Sequence, residues 1–335
     1  MSLLTSPIKI GSLAVLNRLV MPPMATSKSK KGGEVSDEIC EYYAEKSNGG
    51  YIGLIITEHS FVSQEGKASK GQLSIAKDSD VLGLEKLVSS IHQNRTKVFA
   101  QINHAGGLAK KEITGFDPLS ASSVELPKTT RNKNLPHEMT QKEIEKVIAD
   151  FAVAALRAKQ AGFDGVEIHS AHGYLLNQFY SPLTNKRQDN YHGNSIEGRI
   201  QLHLEIIQAI QANVGSEFPI ALRLGASDYL DGGTTIEDSV IASKEFEKAG
   251  ICLLDISGGF NFYTNPTTNE QGYFSDLSRA IKQNVEISVL LTGGITDAAV
   301  AEELLCEEKA DMIGVGRAIM KNSDWAKQAN LSLKN

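Results

Sequence analysis

Cysteine is scarce in this chain of 335 residues, and the three that occur, Cys40, Cys252 and Cys306, lie far apart. Their number is odd and none belongs to a CxxC pair, which argues against a disulfide framework and against a zinc site built on thiolates. An excess of basic residues is also lacking. The net charge is -6, so the composition offers no electrostatic footprint for nucleic acid. We expect reduced, packing cysteines in a cytoplasmic protein.

Long hydrophobic stretches are missing as well. No run of about 18 apolar residues could span a bilayer. The opening MSLLTSPIKIGSLAVLNRLV lacks the basic region followed by an unbroken apolar segment that marks a signal peptide. We therefore expect no membrane partner. With 41% hydrophobic and 22% charged residues, the chain has the composition of an ordinary globular protein that can bury a large core.

Eight short apolar runs are spaced along the chain. They cover residues 19–24, 51–57, 97–102, 165–169, 219–224, 252–257, 287–292 and 311–315. Most are continuously apolar rather than alternating, which is typical of strands buried on both faces of a parallel sheet.

Helical patterns with recognisable starts separate these runs. Thr140 and Glu143 have the spacing of a capping box, and so do Thr234 and Glu237. Eight strand–helix units with short links predict right-handed crossovers and a single-domain (β/α)8 TIM barrel over residues 1–335. The alternative, an open doubly wound sheet, usually carries a GxGxxG turn after its first strand, and the sequence has none. We also expect residues 1–18 to form a hairpin closing the barrel bottom, and residues 105–139 an extended loop after strand three.

Glycines follow the last two runs, where barrel enzymes bind phosphate. Gly293 and Gly294 come after the seventh run, and Gly316 and Arg317 come after the eighth. Backbone N–H groups and a forked guanidinium are suited to bind an anion there. The simpler alternative is that these glycines only end strands. Two such positions on the two expected strands favour a ligand that carries a phosphate.

His169, His172 and Tyr174 follow the fourth run within six residues. Two histidines could bind a metal, but Glu167 lies too deep on its strand to be a convenient third ligand, and we predict no metal. They could also be ordinary polar loop residues. The functional alternative is that two imidazole N–H donors stabilise charge on one substrate oxygen while Tyr174 supplies a proton.

Two polar residues, Gln101 and Arg223, interrupt apolar strand runs. An inward-facing Arg223 requires an anionic partner, and Glu167 on the neighbouring strand or a ligand could provide it. Together, the amide and the guanidinium suit a polar ring. Asp228 has the context of an ordinary solvated loop charge, and no role is assigned to it.

The block HSAHGYLLNQFYSPLTNKRQDNYHG followed by NSIEGR resembles the signature of the Old Yellow Enzyme family of FMN-dependent ene-reductases, and it is the most specific segment of this kind. NRLVMPPMA, LIITE, QINHAG, ALRLGASDY, LTGGI and GVGRA resemble other blocks of the family, in the family's order. The resemblance implies a (β/α)8 barrel that binds FMN non-covalently and takes hydride from NADPH or NADH.

The resemblance also implies a reaction and the residues that carry it out. Hydride passes to flavin N5 and then to the β-carbon of an α,β-unsaturated carbonyl, with quinones, nitro compounds and free flavin as further acceptors. His169 and His172 resemble the catalytic pair that binds the substrate oxygen, and Tyr174 resembles the proton donor to the α-carbon. The cofactor contacts implied are Pro22, Pro23, Met24, Ala25, His59, Gln101, Arg223, Gly293, Gly294, Gly316 and Arg317, and Ser27 is placed with the substrate contacts.

Three positions predicted to lie in the site depart from the family's pattern, and His192 and Gly198 depart from it within the signature block. Ala25 stands where members often carry Thr or Cys, whose side chain hydrogen-bonds the flavin. His59 stands where a small residue is common, so it either crowds the flavin or adds a donor. Ser27 stands where one bacterial branch has a substrate-contacting Tyr. Larger relatives with an iron–sulfur cluster carry a cysteine cluster and several hundred further residues, so we expect this chain to take hydride directly from NAD(P)H.

Two other function classes remain open in the sequence. A phosphosugar isomerase or aldolase could use the same barrel, although an aldolase of that kind needs a lysine in a strand as its Schiff-base nucleophile, and no late run contains one. A flavin-binding protein without turnover is the second alternative, but binding alone does not require the proton donor Tyr174. The physiological substrate and the choice between NADH and NADPH stay open, as does the oligomeric state, for which a homo-oligomer is favoured.

Overall fold

The apolar runs form the strands of a closed parallel barrel in the computed structural model, which describes residues 2–131 and 135–333. The strands are β1 (Ile8–Ile10), β2 (Leu13–Val15), β3 (Leu19–Met21), β4 (Leu54–Ile56), β5 (Ser60–Phe61), β6 (Lys97–Asn103), β7 (Leu119–Ser120), β8 (His137–Glu138), β9 (Gly165–Ser170), β10 (Ile220–Gly225), β11 (Leu253–Ser257), β12 (Ser288–Thr292) and β13 (Met312–Gly314). Eight of them, β3, β4, β6 and β9 to β13, pair in parallel in chain order, and pairing of β13 with β3 closes the ring. The predicted (β/α)8 barrel is therefore confirmed.

Helices surround the barrel between successive strands. They are α1 (Asp37–Ser47), α2 (Val81–His92), α3 (Lys111–Thr114), α4 (Gln141–Gln160), α5 (Leu175–Tyr180), α6 (Ile196–Val214), α7 (Ile236–Lys248), α8 (Ser275–Lys282), α9 (Ala298–Cys306), α10 (Arg317–Lys321) and α11 (Trp325–Ser332). Within the described ranges, none combines the length and the apolar character that crossing a membrane requires.

The two predicted capping boxes have different outcomes. The box at Thr140 and Glu143 is present at the start of α4. The second prediction was wrong by one residue, because Thr235 and Asp238 cap α7. Thr234 is not free to act as the cap, since it is buried and its backbone N–H donates to a carboxylate oxygen of Asp228 at 2.8 Å.

The N-terminal hairpin of β1 and β2 closes the bottom of the barrel, as predicted. Its two strands pair antiparallel, and Ile10 and Val15 are buried. They pack in one cluster with side chains from the barrel strands, among them Leu54, Phe99 and Leu253. The polar positions of the interior consequently lie above this apolar plug, toward the C-terminal ends of the strands.

The extended loop predicted at residues 105–139 contains α3 and the two-stranded parallel pair β7–β8, while residues 132–134 of the prediction lie outside the described residues. Arg187 ties this loop to the segment after α5. Its Nη1 donates to the carbonyl oxygens of Ala121, at 3.0 Å, and Met139, at 2.8 Å. The loop is thus fixed beside the open end of the barrel.

Candidate active site

A cavity of about 450 Å³ opens at the C-terminal end of the barrel, within the size range of small-molecule sites. Most residues predicted from the sequence line it, namely Pro22, Pro23, Met24, Ala25, His59, Gln101, His169, His172, Tyr174, Arg223, Gly294, Gly316 and Arg317. Gly293 and Ser27 are not in this lining set of the described chain. Ser27 has a left-handed backbone (φ 58°) and packs close to Gly71. Their ligand contacts stay predictions.

His169, His172 and Tyr174 lie together on one side of the cavity. His169 is near the end of β9, and the chain then turns through His172, whose φ of 58° is unusual for a residue with a side chain. The rings of His169 and His172 are 5.0 Å apart between centroids, and the ring of Tyr174 is also 5.0 Å from that of His169. The left-handed turn is therefore part of what brings the second imidazole back beside the first.

Burial fixes the protonation states of these three groups. It lowers the pKa values of His169 and His172 well below the ordinary value, and the nearby guanidinium of Arg223 lowers both further. Burial raises the pKa of Tyr174 to about 12. At neutral pH the site therefore presents two uncharged imidazoles and a phenol that keeps its proton.

The two imidazoles differ in the partners of their nitrogens. Nε2 of His172 lies 2.8 Å from the hydroxyl oxygen of Ser257, at the end of β11, which leaves Nδ1 for a ligand. Nδ1 of His169 is buried and has no hydrogen-bond partner among the described residues. Both rings thus have hydrogen-bonding capacity that the protein itself does not use.

A buried polar layer forms the floor of the cavity. Nε of Arg223 is 3.2 Å from Oδ2 of Asp255, its register partner on β11. The predicted partner of Arg223 was Glu167 or a ligand, but the ion pair is made with Asp255. Glu167 lies opposite Ala221, two residues before Arg223 on β10. Glu167 instead accepts a hydrogen bond of 2.8 Å from Nε2 of Gln101.

The charges of this floor are set by burial and mutual repulsion. Burial, together with the negative charge of Asp255, raises the pKa of Glu167 well above its usual range, although Arg223 opposes the change, and this favours the protonated form. Burial also raises the pKa of Asp255, but Arg223 opposes that change. The floor thus combines the Arg223–Asp255 ion pair with a carboxyl group whose protonated form burial favours, and Arg223 lines the cavity.

Glycine is favoured after β12, and little room for a side chain remains after β13. Gly294 has φ 69°, and an ideal Cβ on it would lie 2.6 Å from Cε1 of Tyr273 and 3.6 Å from Nη2 of Arg317. A Cβ on Gly316 would lie 2.9 Å from Sδ of Met24. The backbone therefore approaches the cavity closely on both strands, with a guanidinium beside it. This arrangement suits a phosphate group.

Several features of the site were not predicted from the sequence. The further lining residues are Tyr263, Tyr273, Thr292, Ile295, Gly314 and Met320. The assignment of Asp228 as a solvated charge was wrong, since it is fully buried and accepts hydrogen bonds from the Ser181 hydroxyl and the Phe260 backbone N–H. Its neighbours in space come from distant segments, so no local pattern could have revealed its role.

The polar atoms of the cavity floor fit a flavin better than an ordinary packed core. Oε2 of Glu167 and Nδ1 of His169 are buried and have no hydrogen-bond partner in the described part of the chain. Native proteins seldom leave such atoms unpaired unless a ligand or water completes them. A polar ring over Gln101 and Arg223, with a phosphate toward Gly294 and Arg317, would satisfy this set. No group of three or more His, Cys, Asp or Glu side chains arranged to hold a metal occurs in residues 2–131 and 135–333.

Comparison with known proteins gives a consistent family. The family model described as NADH:flavin oxidoreductase / NADH oxidase family matches residues 3–335. The chain is 39% identical over 333 residues to an NADH oxidase of Thermoanaerobacter brockii, covering 98% of this chain and 50% of that protein. It is 38% identical over 331 residues to an NADPH dehydrogenase of Halalkalibacterium halodurans, covering 98% of this chain and 94% of that protein.

Solved structures with the same fold include enzymes of two sizes. A 2-naphthoyl-CoA reductase in complex with 2-naphthoyl-CoA matches with a TM-score of 0.91 and 28% identity, covering 98% of this chain and 52% of that one. An Old Yellow Enzyme homologue from Zymomonas mobilis matches with a TM-score of 0.84 and 26% identity, covering 98% and 92%. The chain thus spans about half the length of some relatives, including the NADH oxidase, and nearly the full length of others.

Proposed function

The chain belongs to the NADH:flavin oxidoreductase / NADH oxidase family, to which the Old Yellow Enzyme homologues belong, and on this premise we propose that it reduces an activated carbon–carbon double bond at the expense of NAD(P)H. Membership implies FMN as the cofactor and NADH or NADPH as the reductant. The proposed substrates are α,β-unsaturated carbonyl compounds, with quinones and nitro compounds as further acceptors. We also propose that residues 1–335 act as one FMN-binding barrel domain.

One observation carries the proposal: two buried imidazoles and a phenol line a single cavity, with the ring centroids of His172 and Tyr174 each 5.0 Å from that of His169. FMN, when bound, supplies hydride transfer from reduced nicotinamide to the substrate. The protein's task is to hold the substrate oxygen and to provide a proton. We assign to His169 and His172 the hydrogen bonds to one carbonyl oxygen, since Nδ1 of His169 has no partner among the described residues and Nδ1 of His172 is not used by Ser257.

Neutral donors can carry out this chemistry. An imidazole N–H polarises the carbonyl and stabilises the negative charge that grows on its oxygen as hydride arrives at the β-carbon. Tyr174 then gives its phenolic proton to the α-carbon. Since burial holds the pKa of Tyr174 at about 12, this proton is available across the physiological pH range.

The floor and the rim of the cavity are assigned to the cofactor. Gln101 and Arg223 would contact the flavin ring, and the positive charge of Arg223 would stabilise the electron-rich reduced form. Gly294, Gly316 and Arg317 would hold the phosphate. The aldolase alternative receives no support from the site, because the described lining contains no lysine.

An absorbance experiment tests the proposal directly. The purified protein should show visible flavin bands that bleach under anaerobic NADPH or NADH and return when 2-cyclohexenone is added. The His169→Ala/His172→Ala double variant serves as the control, because it should still bleach with NAD(P)H but recover slowly with the enone. A colourless protein that does not retain added FMN would refute the proposal, and flavin that is never bleached by nicotinamide would favour a binding protein without turnover.

A further inference from the structure

His59 has a polar environment that neither the fold nor the three proposed catalytic residues require. It lies between β4 and β5 and lines the cavity on the side of the proposed substrate residues. Its ring centroid is 5.3 Å from that of Tyr174, with the planes tilted by 34°, and 6.2 Å from that of His169. The ring of His59 therefore lies beside two of the side chains proposed to bind the substrate, His169 and Tyr174.

Two buried amides approach one nitrogen of this ring. Nε2 of Gln72 is 3.2 Å from Nδ1 of His59, and Nδ2 of Asn103, the last residue of β6, is 3.0 Å from the same atom. Gln72 is 2% exposed and Asn103 is fully buried. Both amides thus belong to the wall behind the histidine rather than to the open cavity.

The orientation of the Gln72 amide is fixed by a third group. Its Oε1 accepts the backbone N–H of Ala68 at 2.6 Å, so its NH2 group must be the end that faces His59. The same NH2 group also donates to the backbone carbonyl of His59 at 3.3 Å. An amide NH2 can only donate, so Nδ1 of His59 must present its lone pair.

The tautomer of His59 follows from this constraint. In a neutral imidazole one nitrogen carries the proton and the other accepts, so the proton of His59 is on Nε2. Burial and the charge of Arg223 lower the pKa of His59 to about 4, which keeps the ring neutral. Nδ1 accepts from the amides behind the ring, so Nε2–H is the group that can donate into the cavity. It has no protein partner among the described residues.

We propose that His59 is a third imidazole donor of this site, held as the Nε2–H tautomer by Gln72, and that it donates to a carbonyl oxygen of the bound ligand. The inference rests on the proposed function, because it needs a carbonyl-bearing ligand in the cavity. Two sources share this chemistry, the substrate and the flavin ring. His59 is the residue that binds the oxygen, and Gln72 is a positioning residue that acts through it.

The tautomer is tested first, on the flavin-free protein. In nitrogen-15 NMR of protein labelled at histidine, the resonances of His59, assigned by their loss in His59→Gln, should show a protonated Nε2 and an unprotonated Nδ1. In Gln72→Glu, which retains an oxygen for the Ala68 N–H and places a second one opposite Nδ1, the proton should appear on Nδ1. A wild-type Nδ1–H would overturn the inference while leaving the proposed function intact.

Two substitutions of His59 then identify the oxygen. His59→Leu removes the donor, whereas the amide of His59→Gln can return an N–H near the position of Nε2. If the substrate is the ligand, His59→Leu should raise KM or lower kcat for 2-cyclohexenone by about five- to tenfold, as expected for one hydrogen bond, and His59→Gln should restore part of it. FMN affinity would stay unchanged.

If the flavin is the ligand, His59→Leu should weaken FMN binding by a similar factor and shift the visible spectrum, again with partial recovery in His59→Gln. Unchanged enone kinetics, FMN affinity and spectrum in His59→Leu would overturn the inference. Failure of the wild-type protein to bind FMN would instead overturn the proposed function, so the two failures are distinguishable.

Discussion

Replacement of Arg223 by methionine should destabilise the fold in a way that depends strongly on pH. Arg223 is 4% exposed and Asp255 is fully buried, so the variant would leave a buried carboxylate without its cation. Breaking one side of a buried pair typically costs about 3–5 kcal/mol. An upper limit comes from protonation, because Asp255 can escape the penalty by binding a proton.

That limit is set by the ordinary pKa of 3.8 for an aspartic acid. Holding such a group protonated costs about 1.4 kcal/mol per pH unit above this value, which gives about 5 kcal/mol at pH 7.5 and about 2 kcal/mol at pH 5.5. Because Asp255 already has a raised pKa in the wild type, the loss relative to wild type should be smaller than this limit; it should be greatest at pH 7.5 and shrink as the pH falls. Urea unfolding at the two pH values measures it.

The matched control is Arg223→Met/Asp255→Asn, which removes both charges while keeping an oxygen for the hydroxyl of Thr292, now 3.2 Å from Oδ1 of Asp255. The double variant should recover most of the stability lost at pH 7.5, and its stability relative to wild type should depend little on pH. Replacing both members of a buried ion pair is often nearly neutral. Both variants lack Arg223, so weaker FMN binding is common to them. A penalty below about 1 kcal/mol, a penalty independent of pH, or a double variant no more stable than the single one would refute the reasoning.

Three further predictions concern single side chains. Tyr174→Phe should leave reduction of the bound flavin by NAD(P)H nearly unchanged and slow enone turnover by about 10²–10⁴-fold, measured by rapid mixing of each half-reaction; equal losses in both halves would remove Tyr174 from the proton-donor role. Arg317→Ala should weaken FMN binding by about 10- to 100-fold in an ultrafiltration or fluorescence titration, the effect of one charge-assisted hydrogen bond, and unchanged affinity would contradict its phosphate role. Burial raises the pKa of Glu58 to about 7 although Thr26 donates two hydrogen bonds to it, so the folded protein keeps a proton that the unfolded chain releases above about pH 4.5. The stability that this proton confers should be present below pH 4.5 and lost by pH 7.5. The unfolding free energy of wild type minus that of Glu58→Gln should therefore fall by about 3 kcal/mol over that range. A difference that stays constant with pH would contradict the assignment.

The sequence alone predicted the architecture and most of the residues that line the cavity. Continuous apolar runs and capping residues depend on neighbours within a few positions, so they predict strands and helices wherever they occur. A parallel barrel then brings the carboxyl ends of all its strands to one face. For that reason Gln101, His169, Arg223 and Gly294 could be grouped without knowing any distance between them.

The tertiary structure decided which partner each polar side chain has. Strand register, which is set by packing around the whole barrel, places Arg223 beside Asp255. Glu167 instead accepts a hydrogen bond from Gln101. The local sequence around Asp228 predicted a solvated loop charge. In the folded protein Asp228 is buried and accepts hydrogen bonds from the backbone N–H groups of Thr234 and Phe260. The tautomer of His59 depends on an amide 13 residues away that is held by a further backbone N–H. Hydrogen-bond partners of buried groups are long-range, and local sequence patterns contain no information about them.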